Sequence, residues 1–230
     1  ICNLDQTRNA LSDVDYVIHC AALKNVPICE VSPSSCIEVN VKGTSNIIEA
    51  ARHNKVLKVL FTSSDKAVNP TNIMGASKLV AEKLVTAANL ENSSKNRTIF
   101  SSTRFGNVIG STGSVLPIFI DQIKKGKKLS VTSKHMTRFM MSNKKSVDLV
   151  LNSLKISTGG EIFITKMPTI NILTFARCVH ALYSKTKKFE NSYDIVGPRQ
   201  GEKMYEELMS EEEINRSHLQ KLMEIMLILQ

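Results

Sequence analysis

Apolar and polar positions repeat with two different periods along the first hundred residues. From Asp13 to Ala22 a short polar lead runs into continuous β-branched and apolar positions and ends on small side chains. An unbroken run of this kind fits a strand covered on both faces, and therefore parallel to its neighbours. Val56 to Phe61 and Thr98 to Phe105 are of the same type. Between them the spacing becomes helical. Val41, Ile48 and Ala51 share one side of a helix over Ile37 to His53, and Val80, Leu84 and Ala87 share one side of a helix over Ser77 to Ala88. Lys24 to Pro33 and the polar Glu91 to Arg97 read as loops.

Farther along, the pattern predicts helices over Pro117 to Lys125, Val147 to Leu154 and Leu173 to Ser184, with strands at Leu129 to Thr132 and Glu161 to Thr165. Gly197 to Lys203 reads as a turn feeding a helix from Met204 to about Met209, and the tail from Glu211 to Gln230 is helical in pattern. Strands alternating with helices predict an α/β fold built on a doubly wound parallel sheet. The alternation loosens after about residue 105, as expected for a smaller C-terminal lobe. The expected division is 1–105 with about 138–168 in the sheet domain, and about 106–137 with 169–230 in the lobe.

Ligands of open α/β sheets bind outside the carboxyl ends of the strands. Ser64-Asp65-Lys66 stands at such an end, and Met74 and Lys78, four residues apart, share a face where the next helix opens. This gathers a hydroxyl, an acid and two amines. The same residues also suit a loop that merely caps the helix. Asn40 lies inside a predicted helix, where asparagine is a poor former unless its amide bonds something specific; a solvated face is the other reading. Gly106, Gly110 and Gly113 could aim backbone amides at an anion or serve as turns.

Composition narrows the function. At 42% hydrophobic over 230 residues the chain can bury a sizeable core. No run reaches the length of a membrane span and no signal peptide is visible, so a cytoplasmic location is expected. Because the chain opens as though already inside an element, an upstream membrane-anchored region stays open. Five cysteines without a CxxC pair and scattered histidines suggest free thiols and no metal site. The +9 charge is spread in small lysine clumps without interleaved aromatics, which favours attraction of a diphosphate substrate, or simple solvation, over nucleic acid.

Four separated motifs then resemble one family. They are His19 to Pro27; Ser64 to Asn72 with Met74-Gly75-Ala76-Ser77-Lys78; Arg104-Phe105-Gly106-Asn107-Val108; and Gly201-Glu202-Lys203. Together they are similar to UDP-N-acetylglucosamine 4,6-dehydratases of the polysaccharide-biosynthesis type, within the extended short-chain dehydrogenases/reductases, over residues 1 to about 212. The resemblance implies a Rossmann-type domain whose first strands lie upstream of Ile1, NAD (or NADP) as cofactor, UDP-N-acetylglucosamine as substrate and a homo-oligomer. It implies oxidation of the sugar at C4, loss of the C5 proton, departure of water from C6 and return of the hydride to C6. It assigns Asp65 as the acid for the departing water, Lys66 as the base at C5, Ser64 to the C4 oxygen and Lys78 to the nicotinamide ribose. Asn3, Ala21, Ala22, Lys24 and Asn40 fall near the cofactor. Asn107, Leu116, Pro117, Arg138, Arg199 and Glu202 fall near the nucleotide diphosphate, with a structural salt bridge as the other reading for Arg138 and Glu202, and a solvated loop for Lys24.

The sequence departs from the wider superfamily in three places. Met74 stands where a Tyr usually serves as base for the 4-hydroxyl, and a thioether is only a weak acceptor. A subset of these dehydratases shares the Met, so Asp65, or a water ordered by Ser64 and Lys78, is the candidate acceptor of that proton. The glycine-rich turn that receives the pyrophosphate is not among these residues, so they are expected to hold NAD weakly by themselves. Asn3 stands about where an Asp usually faces the adenine. A nucleotide-sugar 4-epimerase and a non-catalytic nucleotide-sugar binding module are the alternatives.

Overall fold

The structure, a computed structural model, describes residues 1–90, 98–185, 188–220 and 225–228; for 218–220 and 225–227 it describes the backbone alone. The loop expected over Glu91 to Arg97 lies outside the described residues, as does part of the tail. The chain divides into two units, 1–105 with 147–166 and 207–230, and 106–146 with 167–206.

The first unit is built on strands β1 (Tyr16–His19), β2 (Lys58–Ser64), β3 (Ile99–Phe105) and β7 (Ile162–Thr165), paired in parallel in that order. Alternate residues of β2 explain its unbroken apolar run. Val59 and Phe61 pack on one face with Ile47 and Ile48 of helix α4 (Gly43–His53) and Ala81 and Val85 of helix α5 (Ile73–Leu90). Leu60 packs on the other with Phe163 and with Leu149 of helix α7 (Asn143–Ile156). Both faces are covered, which is what a parallel sheet requires. Helix α1 (Leu4–Ala10) precedes the first strand and is capped by Asn3.

Three local expectations are corrected. Lys24 to Pro33 is not a plain loop: Asn25 accepts the Ile28 N–H and Pro27 occupies the first turn, opening helix α2 (Val26–Val31). Helix α3 (Pro33–Ile37) then runs through a π-helical turn at Glu38–Lys42 into α4. The expected helix over Met204 to Met209 is absent, because Thr137 donates to the Met204 carbonyl and Arg138 to that of Lys203. Among the described residues the tail is helical only over α9 (Glu211–Asn215); strands β10 (Ser217–Gln220) and β11 (Ile225–Ile228) follow, with β11 antiparallel to β7.

The second unit holds β4 (Asn107–Val108), β5 (Leu129–Val131), β6 (Thr137–Met141), β8 (Thr169–Asn171) and β9 (Tyr193–Ile195) with helices α6 (Val115–Lys124) and α8 (Ile172–Tyr183). Its core joins Phe119, Leu129, Met136, Met140, Ala176 and Val179. Its boundaries differ from the expected ones at two points. Residues 138–146 belong here because β6 pairs with β4 and β8, whereas residues 207–230 return to the first unit.

Candidate active site

Strand β2 ends at Ser64, and a single 3-10 turn, Asp65–Ala67, follows. Ser64 caps the turn by accepting the Lys66 N–H at 3.2 Å, and its own hydroxyl donates to Asp65 Oδ1 at 2.9 Å. Lys66 Nζ lies 3.0 Å from the same oxygen. Asp65 is fully buried, and its other oxygen, Oδ2, has no hydrogen-bond partner among the described residues. A buried carboxylate oxygen without a donor is costly, so Oδ2 is the atom in this turn whose hydrogen-bonding capacity is still open.

Helix α5 is held tightly against this turn. A Cβ on Gly75 would lie 2.3 Å from the Lys66 carbonyl oxygen, so only glycine lets the two backbones approach this closely. Asn72 opens the helix by accepting the Gly75 N–H at 2.8 Å. One turn later Lys78, buried, donates to the Thr62 carbonyl at 2.9 Å and sits 4.6 Å over the Phe61 ring. Burial lowers its pKa to about 8 against the opposing pull of Cys20, Glu82 and Cys36. Lys78 therefore loses its charge as pH rises through about 8.

Asn40 is 1% exposed, which removes the solvated-face reading. Its amide accepts the Leu23 N–H at 2.8 Å and donates to the Leu23 carbonyl at 2.9 Å and to Ser77 Oγ at 2.9 Å. It thus ties the chain leaving β1 to the helix that carries Lys78. His19, which closes β1, meets Thr44 Oγ1 at 3.0 Å. Because Thr44 donates to the Asn40 carbonyl at 2.7 Å, its oxygen accepts and His19 Nε2–H donates. Burial first, then the Lys78 charge, lowers the His19 pKa to about 4.

Met74 is buried in an apolar cluster with Cys29 and Cys36, flanked by Leu23, Val26 and Ile73. The structure therefore gives its side chain a packing position. Ala21 and Lys24 are exposed and Ala22 half-buried beyond β1, and Asn3 is exposed with its side-chain oxygen spent on the Gln6 N–H.

The remaining residues belong to the second unit. Arg138 is buried, donates to the carbonyls of Thr137 and Lys203, and lies 3.5 Å from Glu202. Glu202 also accepts the Arg199 N–H, while the Arg199 side chain is exposed. The structural reading of Arg138 and Glu202 thus describes what their side chains do within this unit. Leu116 packs on the unit's core in the first turn of α6, Pro117 follows it, and Asn107 is half-buried on β4.

Sequence reasoning missed His19, Thr62 and Glu82 as supports of the Lys78 region. A signal existed for Glu82: it stands four residues after Lys78, one helical turn on. It grips Arg104 at 2.9 and 2.7 Å, while Glu213 of α9 holds the same guanidinium at 2.8 Å. Nothing in the linear order pointed to Glu213.

Comparison with known proteins places this geometry. Residues 1–227 match the family profile described as polysaccharide biosynthesis protein. A Rickettsia bellii protein named UDP-glucose 4-epimerase is 44% identical over 215 residues, 94% of this chain and 62% of that protein. The crystal structure of Pen from Bacillus thuringiensis superposes with a TM-score of 0.93 at 42% identity, covering all of this chain and 69% of that one. A dTDP-glucose 4,6-dehydratase of Streptomyces venezuelae superposes with a TM-score of 0.80 at 18% identity, over 92% of this chain and 69% of that one, a likeness of fold alone. The chain spans less than two thirds of the length of the curated relatives, 64% and 62% for two of them.

Proposed function

From the premise that this chain belongs to the family of polysaccharide biosynthesis proteins, we propose that it is the greater part of an NAD-dependent 4,6-dehydratase of UDP-N-acetylglucosamine. The observation that carries this reading is the Ser64–Asp65–Lys66 turn: a buried carboxylate with one oxygen unpartnered among the described residues and the other 3.0 Å from an amine. Passing one proton across that contact turns the ion pair into a neutral amine and a carboxylic acid. The amine takes the C5 proton, and the acid gives its proton to the hydroxyl leaving C6 as water. The pair returns to its starting charges, so the elimination balances without any further acid or base.

NAD, when bound, supplies reversible acceptance of the C4 hydride. The residues fit such a group: small alanines where β1 ends, and a buried Lys78 ammonium that would favour the oxygen at C4 as its proton leaves. That proton passes to a water ordered by Ser64 and Lys78, and the same water supplies the proton that C5 regains once the hydride has added to C6. Asn3, Lys24 and Asn40 complete the cofactor side, Asn40 by holding the strand exit in place. Ser64 binds the C4 oxygen by turning its one hydroxyl hydrogen from Asp65 Oδ1 to the sugar. Met74 takes no proton in this reading. In the second unit, Asn107, Leu116 and Pro117 are assigned to the nucleotide, and Arg199 to its phosphates with Arg138 and Glu202 shaping the segment that bears it.

The name carried by the Rickettsia bellii relative favours a second reading, 4-epimerisation of a UDP-sugar. Epimerisation needs no acid and base for C5 and C6, and the superfamily Tyr that would serve it is replaced here by the packed Met74. Incubating the full-length protein with NAD and UDP-N-acetylglucosamine separates the two. Loss of one water from the sugar supports dehydration, and an isomer of unchanged mass supports epimerisation. Absence of any product from a folded, NAD-loaded protein contradicts both.

A further inference from the structure

The second unit carries a groove that the proposed chemistry does not use. It lies between the end of α6, the start of β5, the end of α8 and the segment before β9, and encloses about 590 Å3. Lys124, Lys127, Lys128 and Lys185 line it together with Tyr183 and Asn191, and no Asp or Glu is among its lining residues. Lysines gathered at helix ends often serve only to satisfy terminal carbonyls. Here the end of α6 is closed by its own backbone: Gly126, at φ 63°, donates to the Ile123 carbonyl and Lys127 N–H to that of Gln122. Ser184 N–H likewise closes α8 on His180. The amines are thus not needed as caps. Lys128 is neutralised by Asp194 at 2.8 Å. For Lys124, Lys127 and Lys185 no counter-ion exists among the described residues.

Three like charges facing one concavity repel each other, and a multivalent anion relieves that repulsion. The volume is that of a small-molecule site, and the exposed Tyr183 ring offers a flat apolar wall beside the amines. We propose that this groove binds a phosphate-bearing anion. Diphosphate groups in solution and the headgroups of an anionic lipid surface share that chemistry. The inference stands apart from the dehydratase reading, since every residue it uses lies outside that reading.

The 230 residues contain no Trp, so Tyr183→Trp places a single indole reporter in the groove. Its emission is followed during titration with inorganic diphosphate, with phosphatidylglycerol vesicles and with phosphatidylcholine vesicles. The expected result is a saturable change with diphosphate, weakened about tenfold or more when Lys124→Ala, Lys127→Ala and Lys185→Ala are added together. A change with phosphatidylglycerol vesicles alone, lost in the same triple variant, identifies the lipid headgroup as the source. No response to either anion overturns the inference. So does a response that the triple variant keeps, or one equally large with phosphatidylcholine.

Discussion

At the scale of single residues, Asp65 and Lys66 bear the proposed chemistry. Asp65→Asn, nearly the same in size but unable to accept or release the proton, is expected to lower turnover about 10²- to 10⁴-fold, measured as product formed from UDP-N-acetylglucosamine while the melting curve stays close to that of the parent. Lys78 sets a pH limit. Its pKa, held at about 8 by burial, means that the ammonium is lost as pH rises through that value. The rate is therefore expected to fall above pH 8, and Lys78→Arg, which keeps its charge, is expected to remove that fall even if it slows the reaction. His19 sets a limit on stability instead. The unfolded side chain titrates near 6.5 and the folded one near 4. The unfolded state therefore binds the proton first, and stability falls as pH drops from 6.5 towards 4, by up to about 3 kcal/mol. In thermal melts His19→Gln should flatten this decline; an unchanged slope would show that His19 is not its source. Glu213, whose carboxyl Arg104 holds below the usual range against its own burial, adds an acid-side decline of the same sign that the His19 variant keeps.

At the scale of elements, the sequence was legible where periodicity and burial agree. Strands β2 and β3 and the helices around them were readable because one side-chain period served both faces of a parallel sheet. The Ser64–Lys66 turn was readable as a strand end for the same reason. Helix α2 was hidden because its start depends on the Asn25 side chain and its end on nothing the pattern shows. The stretch after Met204 has helical spacing, yet hydrogen bonds from distant Thr137 and Arg138 keep it irregular, a tertiary effect no local pattern contains. Met74 was read as chemistry because of where it stands in the motif, and the cysteine cluster that encloses it could not be seen without the fold. Gly75 shows how an element fixes the site. Gly75→Ala sets a methyl group 2.3 Å from the Lys66 carbonyl oxygen, and backbone on both sides must give. A loss of about 1–3 kcal/mol in denaturant unfolding is expected, together with a drop in turnover as α5 shifts away from the turn.

At the scale of the whole molecule, the Arg104 guanidinium joins β3, helix α5 through Glu82 and the C-terminal segment through Glu213 and the Leu208 carbonyl. Removing the cation leaves two buried carboxylates facing each other, so Arg104→Met is expected to destabilise the first unit by about 3–5 kcal/mol, read from chemical denaturation. The tail thus belongs to the first unit, whose sheet its strands β10 and β11 extend, which its position after the second unit's residues concealed. Among the described residues no helix is long and apolar enough to cross a membrane. The central claim concerns a proton removed from C5 and a hydroxyl lost from C6 by one shared acid–base pair. Its most direct test is the reaction of the full-length protein with NAD and UDP-N-acetylglucosamine in deuterated water, followed by mass spectrometry and proton NMR. The expected product has lost one water and carries deuterium at C5, and Asp65→Asn with Lys66→Met suppresses it. A product of unchanged mass, altered only in configuration at C4, would contradict it.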